Sequence, residues 1–148
     1  MTLTSRRSAT FAVAAASAIA LAAPALATTQ LPSTSLNLRA SKSVVKAHHA
    51  VGFTATLSSD GKGVSGQTLD IQQRIVKSNG TKTSWQDVTP QPTITDNGNG
   101  TYTFSLNPPI AVHKNTQKDQ YRAVFAKTTQ YKGSHSQVIT VTVKRTTS

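Results

Sequence analysis

The side chains able to do acid–base, nucleophilic or metal chemistry are few in this chain, and their spacing does not suit such work. There is no cysteine and no glutamate; there are 5 Asp, 4 His and 16 Lys+Arg, for a net charge of +11 over 148 residues. Without cysteine there is no disulfide scaffold, thiol nucleophile, thiolate zinc site or lipoprotein anchor. Five aspartates are too few and too scattered for a calcium or magnesium cage or a paired-carboxylate hydrolase. His48 and His49 are adjacent, so on a strand they would point to opposite faces and could not share an ion. His113 and His135 stand alone in the sequence. Asp96-Asn97-Gly98-Asn99 opens like a calcium loop but lacks the distal Glu that would ligate with both oxygens, and it reads as a hairpin turn. Asn79-Gly80-Thr81 and Asn99-Gly100-Thr101 fit glycosylation sequons and read as turns too. No G-x-S-x-G elbow accompanies the serines. The chain is therefore expected to have no catalytic residue, no metal site and no cofactor, and not to be an enzyme. Trp85, on an expected edge strand, and Tyr131, in an expected loop, could stack on a sugar ring. The plainer account packs one in the core and the other in the loop.

The elements that would position these residues begin after an expected address. Arg6 and Arg7 precede an uncharged run from Ala9 to Ala23, followed by Pro24 and Ala25-Leu26-Ala27. A basic start, an apolar stretch and an A-x-A pattern describe a secretory signal peptide, with cleavage expected between Ala27 and Thr28. The run falls short of the roughly 20 residues that span a bilayer. No second apolar run follows, so the mature form is expected to be extracellular, loosely wall-associated and without a transmembrane anchor. Cleavage would remove Arg6 and Arg7 and bring the net charge from +11 to +9.

The remaining 121 residues are poor in apolar side chains, yet those present alternate. Val51-x-Phe53-x-Ala55-x-Leu57, Leu69-x-Ile71, Tyr102-x-Phe104-x-Leu106, Tyr121-x-Ala123-x-Phe125 and Ile139-x-Val141-x-Val143 each repeat every second residue. A period of two puts one face in a core and the other in water. Threonine fills many of the wet positions, where β-branching suits a strand. Asp60-Gly61, Asn79-Gly80, Asn97-Gly98-Asn99-Gly100 and Lys132-Gly133 punctuate the pattern. About seven antiparallel strands are expected, at 35–45, 50–58, 67–77, 82–96, 101–106, 119–127 and 137–144. Residues 28–34 read as a flexible leader and 145–148 as a loose tail. Pro90 and Pro92 make 82–96 an edge strand, because proline cannot donate to a ladder.

From Ser35 to Lys144 the chain resembles a bacterial immunoglobulin-like domain, of the kind found in secreted proteins of Gram-positive, actinobacterial-type bacteria. The matching pieces are Lys42-Ser43-Val44-Val45, then Asp60-Gly61-Lys62 through Gly66-Gln67-Thr68-Leu69. Trp85, Thr95 through Tyr102, Asp119-Gln120-Tyr121-Arg122-Ala123 and the closing Val141-x-Val143 follow in order. The resemblance implies an all-β, immunoglobulin-like β-sandwich without a disulfide. It implies a corner tyrosine at Tyr121, whose hydroxyl would tie back to nearby backbone. Ala123 stands where disulfide-bearing relatives place cysteine, with Phe53 or Ala55 expected across from it. It implies no catalytic residue.

In a seven-strand sandwich the connections alternate between two ends. One end would collect Lys46, Lys77, Lys82, Lys114, Lys118, Lys144 and Arg145, with His48, His49 and His113, against Asp119 alone. The other would hold Lys62, Lys127, Lys132 and His135 against Asp60 and Asp96. The expected function is a non-catalytic binding module, monomeric, held to an anionic cell-wall polymer by its basic pole. The alternative is a small secreted inhibitor or effector that presents the 107–118 or 128–136 loop to a partner protein. A nucleic-acid role suits the charge but not the exported location.

Overall fold

The computed structural model describes residues 28–108 and 116–145, together with Pro24. The rest of the expected signal peptide, residues 109–115 with His113 and Lys114, and residues 146–148 lie outside the described residues. Among the described residues the chain forms β1 (Ser35–Ala40), β2 (Val44–Lys46), β3 (Val51–Ser59), β4 (Lys62–Gly63), β5 (Asp70–Val76) and β6 (Gln86–Asp87). It continues with β7 (Thr95–Asp96), β8 (Thr101–Leu106), β9 (Thr116–Phe125), β10 (Ser134–His135) and β11 (Ile139–Lys144), and no helix occurs among them.

These strands make an all-β sandwich of two sheets. One sheet runs β1-β3-β8-β7, with β4 beside β3; the other runs β2-β11-β9-β5-β6, with β10 beside β9. Of the longer strands, β1, β3 and β8 lie in one layer and β5, β9 and β11 in the other. One pairing departs from the antiparallel expectation: β2 runs parallel to β11.

The described strands outnumber the seven expected because two expected strands are each split in two and two short strands, β4 and β10, lie outside the expected ranges. The expected strand 35–45 is two, in different sheets. Ser41 still bonds across to Gly52, while the Ser43 carbonyl already accepts from the Thr142 amide. The chain changes sheets over the polar Ser41-Lys42-Ser43. The expected strand 82–96 supplies only β6 and β7, at the edges of opposite sheets, with Pro90 and Pro92 between them. The expected strand 137–144 is preceded by β10 and a bulge. His135 pairs with Val124 and Ile139 with Tyr121, so the step of four on one strand meets three on the other. The Ser136 hydroxyl fills the gap, accepting from the Ala123 amide at 2.9 Å.

Two glutamines close strand edges in the same way. The Gln137 side chain donates to the Leu38 carbonyl at 2.7 Å and accepts from the Leu38 amide at 3.3 Å. Gln91 donates to the Ile71 carbonyl at 3.0 Å and accepts from its amide at 2.8 Å. A primary amide supplies one donor and one acceptor, as a neighbouring strand would, so the outward backbone groups of Leu38 on β1 and Ile71 on β5 are satisfied without another chain.

The core lies between the sheets, from Leu36, Leu38, Phe53, Ala55 and Leu57 on one side to Ile71, Tyr121, Ala123, Phe125, Val141 and Val143 on the other. Phe53 stacks on Phe104 with centroids 5.1 Å apart and meets Tyr121 edge-on at 5.3 Å. Tyr121 does not tie to backbone as expected: its hydroxyl donates to the Asp119 carboxylate at 3.4 Å. The backbone tie is made by Tyr102, which donates to the Val64 carbonyl at 2.8 Å. The leader is not free along its length. The Pro32 carbonyl accepts from the Lys132 amide at 3.0 Å, and the Thr34 hydroxyl donates to the Lys132 carbonyl at 2.9 Å.

Candidate functional site

Charge separates the two outer faces of the sandwich. Over the β1-β3-β8 layer the wet positions are Asn37, Arg39, Thr54, Thr56, Thr101, Thr103 and Ser105, with one charge among them. On the other layer the pairing registers place cations side by side. Lys46 pairs with Lys144, and Lys144 with Thr116. The next row on the same face runs Val44, Thr142, Lys118, Val76 and Lys82. Then follows Thr140, Gln120 and Arg74, and then Arg122, Gln72 and Asp87. Cross-strand partners stand about 5 Å apart, and like charges in that position repel. Lys46 beside Lys144 is thus a local cost that the fold keeps.

Of the expected basic residues, Lys46, Lys118 and Lys144 come together at one end of this face, with Lys82 in the Lys118 row. Lys77 begins the hairpin that returns to Lys82, its amide bonded to the Thr81 carbonyl at 2.8 Å. Arg145 follows β11 directly. Lys114 lies outside the described residues.

Asp119, the acid expected at this end, does not present its charge there. It is 2% exposed and faces the core between Gln117 and Tyr121. The Gln117 amide donates to it at 2.6 Å. Burial pushes its carboxyl above the ordinary range, with the Gln117 and Tyr121 hydrogen bonds pulling partly back. A carboxyl whose folded pKa is raised holds its proton more tightly folded than unfolded. Its contribution to stability is greatest at low pH and is lost as pH rises through the folded value. Asp119→Asn is therefore expected to raise the melting temperature at pH 7. The gap to the natural protein should close on acidification, by at most about 1.4 kcal/mol per pH unit. Thermal unfolding of both proteins from pH 4 to pH 8 checks this; a gap that widens toward acid would contradict it.

Two arginines and the tryptophan extend the basic end along the face. Arg74 and Arg122 each bring a guanidinium carbon over the Trp85 ring, at 4.3 Å and 4.4 Å from its centroid. The Arg74 Nε donates to Gln120 Oε1 at 2.8 Å, and the Arg122 Nε to Gln72 Oε1 at 2.8 Å. The glutamines are held in turn: Gln120 donates to the Thr140 hydroxyl at 3.1 Å and Gln72 to Asp87 at 2.9 Å. Trp85 is half-buried and outside the core; it sits not on a strand, as expected, but in the connection just before β6. Tyr131 is partly buried and packs against the core.

The remaining expected sites resolve into structure. Both Asp96 oxygens accept backbone amides, from Gly98 at 2.9 Å and from Gly66, which holds its carboxyl below the usual range. This is a turn, with its donors already aimed at the carboxylate. His48 and His49 lie in a turn and not on a strand; they and His135 are exposed. Among the described residues no three His, Cys, Asp or Glu side chains gather to hold a metal.

Arg74 and Arg122 did not enter the expected basic pole because they sit inside strands and not in the connections. The signal was present in the alternation, which puts both on wet positions. What the sequence could not supply was that β5 and β9 are neighbours. No protein-family model matches the chain, and no characterised protein matches it in sequence.

Proposed function

We propose that this protein is a secreted, non-catalytic binding module of the bacterial immunoglobulin-like kind, which associates with anionic polymers of the cell envelope through its basic end. In this reading residues 1–27 direct export and are removed, and the folded domain is retained at the wall by charge alone. The observation that carries the reading is the row structure of one outer face. Lys46, Lys144, Lys118 and Lys82 share its end, and the aspartate nearest in sequence, Asp119, is turned into the core. A solubilising charge distribution would have no need to set lysines opposite one another on a sheet, where they repel. A polyol phosphate or acidic polysaccharide laid along that end would relieve the repulsion.

Attraction of this kind acts over a Debye length of about 8 Å at physiological salt and about 3 Å at 1 M. The purified protein is expected to sediment with isolated cell walls at 0.05 M salt and to be released progressively by 0.5 M. Binding that is indifferent to salt, or absent at low salt, would overturn the reading.

A further inference from the structure

We infer that Arg74, Trp85 and Arg122 form a discrete subsite for a tetrahedral oxyanion, a phosphoryl or sulfuryl group, separate in kind from the diffuse attraction of the lysines. The inference deepens the proposed function by naming the group on the polymer that the face grips.

Three features carry it. First, the guanidiniums are positioned. Each is fixed at Nε by the glutamine opposite it on the neighbouring strand, and each glutamine is anchored beyond, at Thr140 or Asp87. Second, the two are brought together, both guanidinium carbons lying within 4.4 Å of one ring centroid. Two like charges sharing one aromatic ring gain from its electron-rich face but repel each other. Third, neither has an acid: among the described residues their hydrogen-bond partners are glutamine oxygens, and neither forms an ion pair. Each guanidinium carries five N–H donors and spends one at Nε, which leaves the Nη fork for a ligand. One fork satisfies a planar carboxylate with two parallel bonds. A tetrahedral group presents oxygens in several directions and can take both forks. Lysine at either position would keep the charge and lose the planar fork and the stacking.

Trp85 is the only tryptophan in the chain, so its fluorescence reports on this site alone. At constant ionic strength, inorganic phosphate and sulfate are expected to change its emission with midpoints at least tenfold lower than that of acetate. The Arg74→Lys, Arg122→Lys double variant should lose at least tenfold in that midpoint while keeping the net charge. If the double variant does not fold, Gln72→Ala and Gln120→Ala, which release the guanidiniums without touching any charge, should each weaken the phosphate response several-fold. Equal midpoints for acetate and phosphate, or a folded lysine variant that titrates like the natural protein, would overturn the subsite. A poly(glycerol phosphate) arm separates this from the wider reading. Neutralising Lys46, Lys118 and Lys144 should weaken the polymer response and leave that to inorganic phosphate unchanged. Loss of the phosphate response there would overturn the separation of the subsite from the lysines.

Discussion

Replacing Phe53 by alanine is expected to destabilise the fold by about 3–5 kcal/mol, the usual cost of emptying a buried phenylalanine site. Phe53 is 2% exposed. It is the ring that joins the layers, stacked on Phe104 of its own sheet and edge-on to Tyr121 of the other. Its loss removes transfer free energy, opens a cavity and deletes both aromatic contacts, each worth about 0.5–1.5 kcal/mol beyond area. The chain has no cysteine with which to pin the layers covalently, so nothing else compensates at that depth. Domains of this size are stable by about 5–15 kcal/mol in total, and a large part of that would go. Thr54→Ala, one residue on and on the wet face, should change stability by no more than about 0.5 kcal/mol. Urea unfolding of the two variants checks both values; a Phe53→Ala cost below about 1 kcal/mol would mean that the layers are held elsewhere.

The layered fold was legible because a period of two leaves little choice. Val51, Phe53, Ala55 and Leu57 must share a face, and that face is buried as expected. The sheet change at Ser41-Lys42-Ser43 was not legible, because nothing in a Ser-Lys-Ser stretch separates a crossing from a continuing strand. The bulge at Ser136 was hidden for a similar reason: one surplus residue shows only when two strands are laid side by side. Tyr121 was placed correctly in the core, but its partner was not, since Asp119 lies two residues earlier on the same face and reaches the hydroxyl first. Connectivity alone sufficed to expect Lys46, Lys118 and Lys144 at one end, where the pairing registers put them in neighbouring rows. The continuation through Arg74 and Arg122 was not legible, because a cation on the wet face of a single strand looks like ordinary solvation until the neighbouring strand is known.

The second large effect concerns where charge sits, not how much there is. Changing Lys46, Lys118 and Lys144 to glutamine removes three charges from the end where they lie in neighbouring rows. Each lysine near an anionic surface contributes on the order of 1 kcal/mol, so this triple variant should bind walls about 100-fold more weakly at low salt. Lys62 on the short β4 and Lys127 and Lys132 in the connection after β9 lie at the other end. Changing those three to glutamine removes the same charge from a place more than a Debye length of about 8–10 Å away, and binding should fall by less than about threefold on that ground. None of the six lysines is part of the buried core, so both variants should melt close to the natural protein.

The most direct test is therefore cell-wall sedimentation of these two charge-matched variants beside the natural protein, at 0.05 M and 0.5 M salt. Near-complete loss is expected for the Lys46, Lys118, Lys144 variant at 0.05 M, near-natural binding for the other, and release of all three proteins by 0.5 M. Equal loss in the two variants would show that net charge, and not a basic end, governs the association.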